Sequence, residues 1–307
     1  MSRMVRLAGL VCWFILGAGV LFFAQAGRAE DKLVLLLKPT RNFPSYDLII
    51  SGVKAGMADV AGARIEEYVY NDDLADVITS RNPAVLIAIG REVAAGIIPL
   101  TDVPVVYSDL VIGRSGVFVD PGVSLVTLNV SFGKRLEYLK MIVPDIKTVG
   151  VLYEPEQNSL VVDEGEKVAA KMGLNLKKFP VTAPKEVRGF GDFGVDALVY
   201  IPDTFTCQPM VTKYVMTWAM EHGVPVIGIS SAYASAGTVI AVEPDYFDNG
   251  VECAQTAASI LAGVKPFDLP LVMPRKFNYF LNQALANRLG IKFSDDVVRG
   301  AAEVFGK

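Results

Sequence analysis

Short aliphatic runs recur along the chain and are apolar at successive positions rather than at alternate ones: Leu33 to Leu37, Val85 to Ile89, Val103 to Tyr107, Val149 to Tyr153, Ala197 to Ile201, Val224 to Ile229 and Thr238 to Val242. Strands covered on both faces, as in the middle of a parallel sheet, read this way. Between them the spacing changes to that of amphipathic helices. Tyr46, Ile49, Ile50, Val53, Met57 and Val60 make one stripe, and Phe132, Leu136, Leu139 and Val143 make a second, opened by Ser131 and stopped by Pro144. Further stripes run through Val161, Val168, Ala169 and Met172, then Met210, Tyr214, Val215 and Trp218, then Val251, Ala254, Ala258 and Leu261.

Strand–helix alternation of this kind predicts an α/β fold of βαβ units with right-handed crossovers. It happens twice, with a break around Pro144 to Lys147. The expectation is two doubly wound parallel sheets joined by a hinge, a first lobe from 30–145 plus 271–307 and a second from 146–270. The tail after Pro270 is too short for a third domain and is expected to cross back and finish the first lobe.

The first thirty residues differ from the rest. Arg3 and Arg6 precede an apolar run from Leu7 to Phe23, and small residues follow in Ala24-Gln25-Ala26 and Gly27-Arg28-Ala29, all before the first acid, Glu30. This is the pattern of a cleavable signal peptide over residues 1–29, which places the mature chain in the periplasm. Gly9, Gly17 and Gly19 weaken the run as a permanent membrane helix. Removing Arg3, Arg6 and Arg28 and no acid takes the net charge from −4 to −7, which argues against nucleic acid as a partner. Of three cysteines, Cys207 and Cys253 survive cleavage; an oxidising compartment permits a disulfide, but a chain this long needs none, and two buried thiols are expected.

In open α/β sheets, ligands sit outside the carboxyl ends of the strands. The residues just past each strand here are Pro39-Thr40-Arg41, Gly90-Arg91, Ser108-Asp109, Glu154, Pro202-Asp203-Thr204, Ser230-Ser231 and Glu243-Pro244-Asp245-Tyr246. Taken singly, each is a turn or N-cap residue; taken together, they converge from two lobes on one cleft. Enzyme motifs do not hold up. Gly189-Phe190-Gly191-Asp192-Phe193-Gly194 matches both G-x-G-x-x-G and D-F-G, but it precedes a strand instead of following one, so it is read as a loop. The single histidine, His222, sits at a helix end before Gly223, which leaves no material for a His-based triad or a zinc site. No catalytic residue, metal or cofactor is expected.

The stretch Met141-Ile142-Val143-Pro144 through Val149-Gly150-Val151-Leu152-Tyr153-Glu154-Pro155-Glu156-Gln157-Asn158-Ser159 resembles a segment of one family of ABC-importer substrate-binding proteins, the type I periplasmic-binding fold that includes aromatic amino-acid binders. Tyr107-Ser108-Asp109, Tyr200-Ile201-Pro202-Asp203, Asp245-Tyr246 and Leu281 to Ile291 agree with it in order, so the likeness spans the mature chain. Leu110, Glu154 and Val126-Thr127-Leu128 depart from its pattern, which bears on ligand identity. The resemblance implies a monomeric binding protein that closes on a small molecule and hands it to an inner-membrane permease with a cytoplasmic ATPase; the alternative is a sensing module presenting the molecule to a membrane receptor.

A zwitterionic ligand needs donors for its carboxylate and acceptors for its ammonium. Asn158 and Ser159, where a strand turns into a helix, suit the carboxylate. Asp203 and Asp245 suit the ammonium, and Phe43, Tyr46, Phe205 and Tyr246 suit the walls. Arg41, Ser108, Asp109 and Thr204 complete the expected site. The alternative for Phe43 and Tyr46 is that they anchor the first helix to its sheet, and for Tyr46, on that helix's apolar stripe, anchoring is the favoured reading.

Overall fold

The computed structural model describes residues 31–306 except 42, 98–99, 110–120 and 190–191. The expected signal peptide lies outside the described residues. The chain starts with β1 (Lys32–Lys38), α1 (Pro44–Met57), β2 (Ala63–Val69), α2 (Leu74–Arg81), β3 (Val85–Ile89), α3 (Arg91–Ile97), β4 (Val105–Asp109) and β5 (Val123–Thr127). These strands form a five-stranded sheet in the order β2-β1-β3-β4-β5, every pair parallel.

Next come α4 (Phe132–Ile142), β6 (Thr148–Tyr153), α5 (Pro155–Lys171), β7 (Asn175–Pro180), β8 (Ala197–Val199), α6 (Pro209–Glu221), β9 (Val226–Gly228), α7 (Ser231–Ala236) and β10 (Ile240–Pro244). The chain ends with α8 (Tyr246–Leu261), β11 (Phe277–Asn282), α9 (Gln283–Arg288), α10 (Asp295–Gly300) and β12 (Glu303–Phe305). The second sheet runs β12-β11-β10-β9-β8-β6-β7, parallel except that β11 is antiparallel to β10.

The expected two sheets are present, but the chain divides between them differently. Helix α4 was expected in the first lobe, before a hinge at Pro144 to Lys147. Instead Phe132, Leu136, Leu139 and Ile142 share a core with Val149, Val199 and Val242 of the second sheet, and Ile146 is buried in it. An apolar stripe must be covered, and the nearest cover is the strand that α4 leads into. The first passage between sheets is therefore at Leu128 to Ser131, and Pro144 to Lys147 is a connection within the second lobe, anchored by Ile146 in its core.

The second correction is α8, which follows β10 yet packs over the first sheet: Cys253, Ala254, Ala257 and Ile260 share a core with Val34, Ile49, Val53 and Ile87. The third is the tail. Its strand β11 pairs with β10, Ile240 opposite Leu281, so the tail finishes the second sheet and not the first. Segment 265–276 carries the chain back, touching the first sheet where Val272 and Val126 form a bridge.

Helices α1 and α8 meet main chain to main chain. A Cβ built on Gly52 would overlap the carbonyl oxygen of Phe247, and one on Gly250 would overlap that of Ile49, so glycine is required at both positions by space alone. Cys207 and Cys253 are both free thiols. His222 closes α6, stacked on Trp218 with its Nδ1 2.8 Å from the Trp218 carbonyl oxygen.

Candidate functional site

The carboxyl ends of β1, β3 and β4 set out the first sheet's contribution. Phe43 is the extended N-cap residue of α1, held there because Pro44 opens the helix. The Arg41 guanidinium lies 4.9 Å above the Phe43 ring, and Phe43 meets Tyr46 edge-on at 5.3 Å. Gly90, with φ +87°, turns the chain at the end of β3, where any side chain would press on the Tyr46 hydroxyl. Asp109 ends β4, and its side chain lies outside the described part of the chain. Ser108 is fully buried, and its hydroxyl donates to Asn249 Oδ1 at 2.6 Å, tying α8 to the sheet.

On the second sheet, Asp203 is used by the fold. Its Oδ1 accepts from the backbone N–H groups of Phe205 (2.8 Å) and Thr206 (3.0 Å); its Oδ2 accepts from the Glu154 N–H and from Asn158 Nδ2. A carboxylate has about four acceptor positions, and all are engaged, by two segments of the chain: the start of α5 and the turn just after Asp203. Asn158 is likewise committed, donating from the same amide to the Pro202 carbonyl at 2.9 Å. The Ser159 hydroxyl donates to the Pro155 carbonyl within its own helix. Asp245 caps α8, its Oδ1 accepting from the Asp248 N–H at 3.0 Å. Phe205 packs against the α6 core beside Tyr200 and Val211.

Three polar side chains stand together at the start of α5: Glu154 Oε2 accepts from Thr204 Oγ1 at 2.6 Å and from Gln157 Nε2. Of these only Thr204 belongs to the expected site. More telling is Glu243, the last-but-one residue of β10. It is 7% exposed, and among the described residues its one side-chain hydrogen bond is from the Ser231 N–H to Oε2 at 3.0 Å. Burial raises its carboxyl above the usual range. Tyr246 begins α8 just past the crossing between sheets; its hydroxyl is pushed upward by burial first, then by Glu243 of the second sheet and Tyr46 of the first. These three residues are where elements of the two sheets come together.

Sequence reasoning chose Asp245 over Glu243. The signal available was a single acid ending the buried strand Ile240-Ala241-Val242, where an uncompensated charge is unfavourable and so calls for a reason. Among the described residues, no group of three or more His, Cys, Asp or Glu side chains is placed to hold a metal ion, and no helix is long and apolar enough to cross a membrane.

Two sheets, three passages of chain and polar and aromatic residues at the strand ends define a two-lobed binding protein of the α/β type. The family described as ABC transporter substrate binding protein matches residues 42–305, and the chain belongs to it. A tyrosine-binding protein of Clostridioides difficile (strain R20291) is 25% identical over 177 residues, 55% of this chain and 50% of that one, so the match spans about half the length of that curated relative. Among solved structures, an ABC domain in complex with L-Trp from Streptococcus pneumonia has TM-score 0.62 at 22% identity, covering 90% of this chain and 100% of the other. A ligand-free, open substrate-binding protein with adhesive properties from Clostridium difficile has TM-score 0.69 at 21% identity, with the same coverage. At these identities the structures show the fold.

Proposed function

We propose that the protein is the extracytoplasmic binding component of an ABC importer, not an enzyme, and that it closes its two lobes on an amino acid with an aromatic side chain. The observation that carries the reading is Glu243: a buried carboxylate with a single hydrogen bond among the described residues, close to Tyr246, which itself lies close to Tyr46 where the sheets meet. A ligand ammonium is the partner it lacks. Arg41 supplies a cation for the ligand carboxylate, and Phe43, Tyr46 and Tyr246 supply ring faces and edges for its side chain. The relatives that bind tyrosine and L-Trp support this class of ligand. Closure uses the passages at Leu128 to Ser131 and Met273 to Lys276, and delivery is to a membrane permease driven by an ATPase.

Calorimetric titration with the twenty amino acids tests it. Tyrosine or tryptophan is expected to bind best, and Glu243→Gln to weaken that binding by about 2 to 5 kcal/mol, roughly 30-fold or more. Binding of a sugar or an anion in preference to every amino acid overturns the ligand assignment.

A further inference from the structure

Glu154, Gln157 and Thr204 take no part in the ligand contacts given above, yet they crown the carboxyl ends of the second sheet. Glu154 follows β6, Thr204 follows β8 and Gln157 lies in the first turn of α5. Glu154 is 8% exposed, and among the described residues its carboxylate has only uncharged partners, the Thr204 hydroxyl and the Gln157 amide, both on Oε2. The second hydrogen of that amide goes to Thr204 Oγ1. Every side-chain donor of the three is therefore spent within the group, while two acceptors are left: Glu154 Oε1, and Gln157 Oε1, which is buried without a partner. A donor is what this group would take from outside.

Glu154 and Glu243 lie on one face of the second sheet. In β6, Val149 and Val151 share a core with α4 and α5, and Leu152 packs on the opposite face beside Tyr200. The chain stays extended through Glu154, so two residues on from Leu152 it keeps to that opposite face. In β10, Val242 faces α4 and Ala241 faces α7; Glu243, two residues on from Ala241, takes its hydrogen bond from the first residue of α7. Tyr233 packs against the groups of both Leu152 and Ala241, which makes the two faces the same. Strands β10, β9, β8 and β6 are successive neighbours. Three steps of about 4.8 Å put the strand ends that carry the two acids roughly 14 Å apart. A phenylalanine skeleton with a donor at the far end of its ring spans that distance when a hydrogen bond of about 2.8 Å is added at each end.

Building on the aromatic amino-acid reading above, we propose that Glu154 and Gln157 set the choice of ligand by accepting a hydrogen bond from a donor at the far end of its ring. A ring with a hydroxyl is then taken in preference to one without. Calorimetric titration of the protein with L-tyrosine, L-phenylalanine and O-methyl-L-tyrosine tests it. Tyrosine is expected to bind at least about tenfold more tightly than phenylalanine, the worth of one hydrogen bond to a charged group. O-methyltyrosine keeps the oxygen but cannot donate, and is expected to bind no better than phenylalanine. Glu154→Gln keeps the shape and removes the charge, and should cut the tyrosine-to-phenylalanine ratio about fivefold or more. Glu243→Gln should weaken both ligands and leave the ratio as it is. A general loosening of the fold lowers both affinities together, so the ratio reports on recognition of the ring's far end. Equal binding of tyrosine and phenylalanine, tight binding of O-methyltyrosine, or a ratio unmoved by Glu154→Gln overturns the assignment and leaves the reading of Glu243 standing. Binding of no aromatic amino acid overturns that reading and this one with it.

Discussion

Helices α1 and α8 meet over the first sheet with no room for a methyl group, whereas α6 and α7 stand apart over the second sheet around a cavity of about 490 Å³. The tight pair joins elements that are distant in sequence, and the loose pair joins near neighbours. A helix that must travel back to another sheet is held by shape at Gly52 and Gly250; helices that stay with their own sheet tolerate a gap, and polar side chains collect in it.

Filling the tight joint should have the largest effect. Gly250→Ala puts a methyl group against the Ile49 carbonyl with Val53 and Gly52 main chain on the other side, so nothing flexible can yield. Overpacking usually costs about 1 to 3 kcal/mol, and this backbone-to-backbone case is expected at the top of that range or beyond, about 4 kcal/mol. Urea unfolding of the variant should show a much lower midpoint; an unchanged midpoint would mean the two helices can slide apart.

The next effect belongs to the second sheet and to a side chain. Asp203→Ala leaves the N–H groups of Glu154, Phe205 and Thr206 and the amide of Asn158 without their acceptor, for about 3 kcal/mol of stability. Ligand affinity measured on the folded fraction is expected to stay near that of the parent. Loss of binding with stability intact would return Asp203 to the ligand.

The smallest effect is a pH dependence. The folded-state pKa of Glu243 lies above its ordinary value of 4.5, so its contribution to stability is present below about that pH and is lost as pH rises through the folded value. Asp196, lowered by the backbone N–H groups of Thr148 and Lys147, acts in the opposite sense: its contribution is present above the ordinary aspartate range and is lost as pH falls. Thermal melts of Glu243→Gln against the parent should therefore diverge as pH rises from about 4.5, the variant becoming the more stable. Parallel curves would show that Glu243 is better solvated than its burial suggests.

The seven aliphatic runs read from the sequence all fall on strands, each within two residues of the observed bounds at both ends. The unread strands include all four sheet edges, β2, β5, β7 and β12. An edge strand has one side open to water: β2 carries Arg64, Glu66 and Glu67 in ion pairs, and β7 carries Lys177 and Lys178, so their apolar signal is diluted. The sheet that takes the tail could not be read either, because antiparallel pairing of β11 with β10 is decided by contacts outside the segment. At the site, the aromatic group at Phe43 and Tyr46 was legible from its place after a strand. The commitment of Asp203 was not, since its donors come from Glu154, Asn158 and Phe205 to Thr206, which only the folded chain brings together.

The return of α8 to the first sheet also sets an order of events during synthesis. Until residues 246–261 have been made, Ile49, Val53 and Ile87 lack part of their cover, and until β11 and β12 follow, the second sheet lacks one edge. A nascent chain that has passed both sets of central strands therefore still has two unfinished halves, and a chain stopped short of Tyr246 should be a protease substrate rather than a pair of folded lobes. Such a chain stays threadable almost to its end.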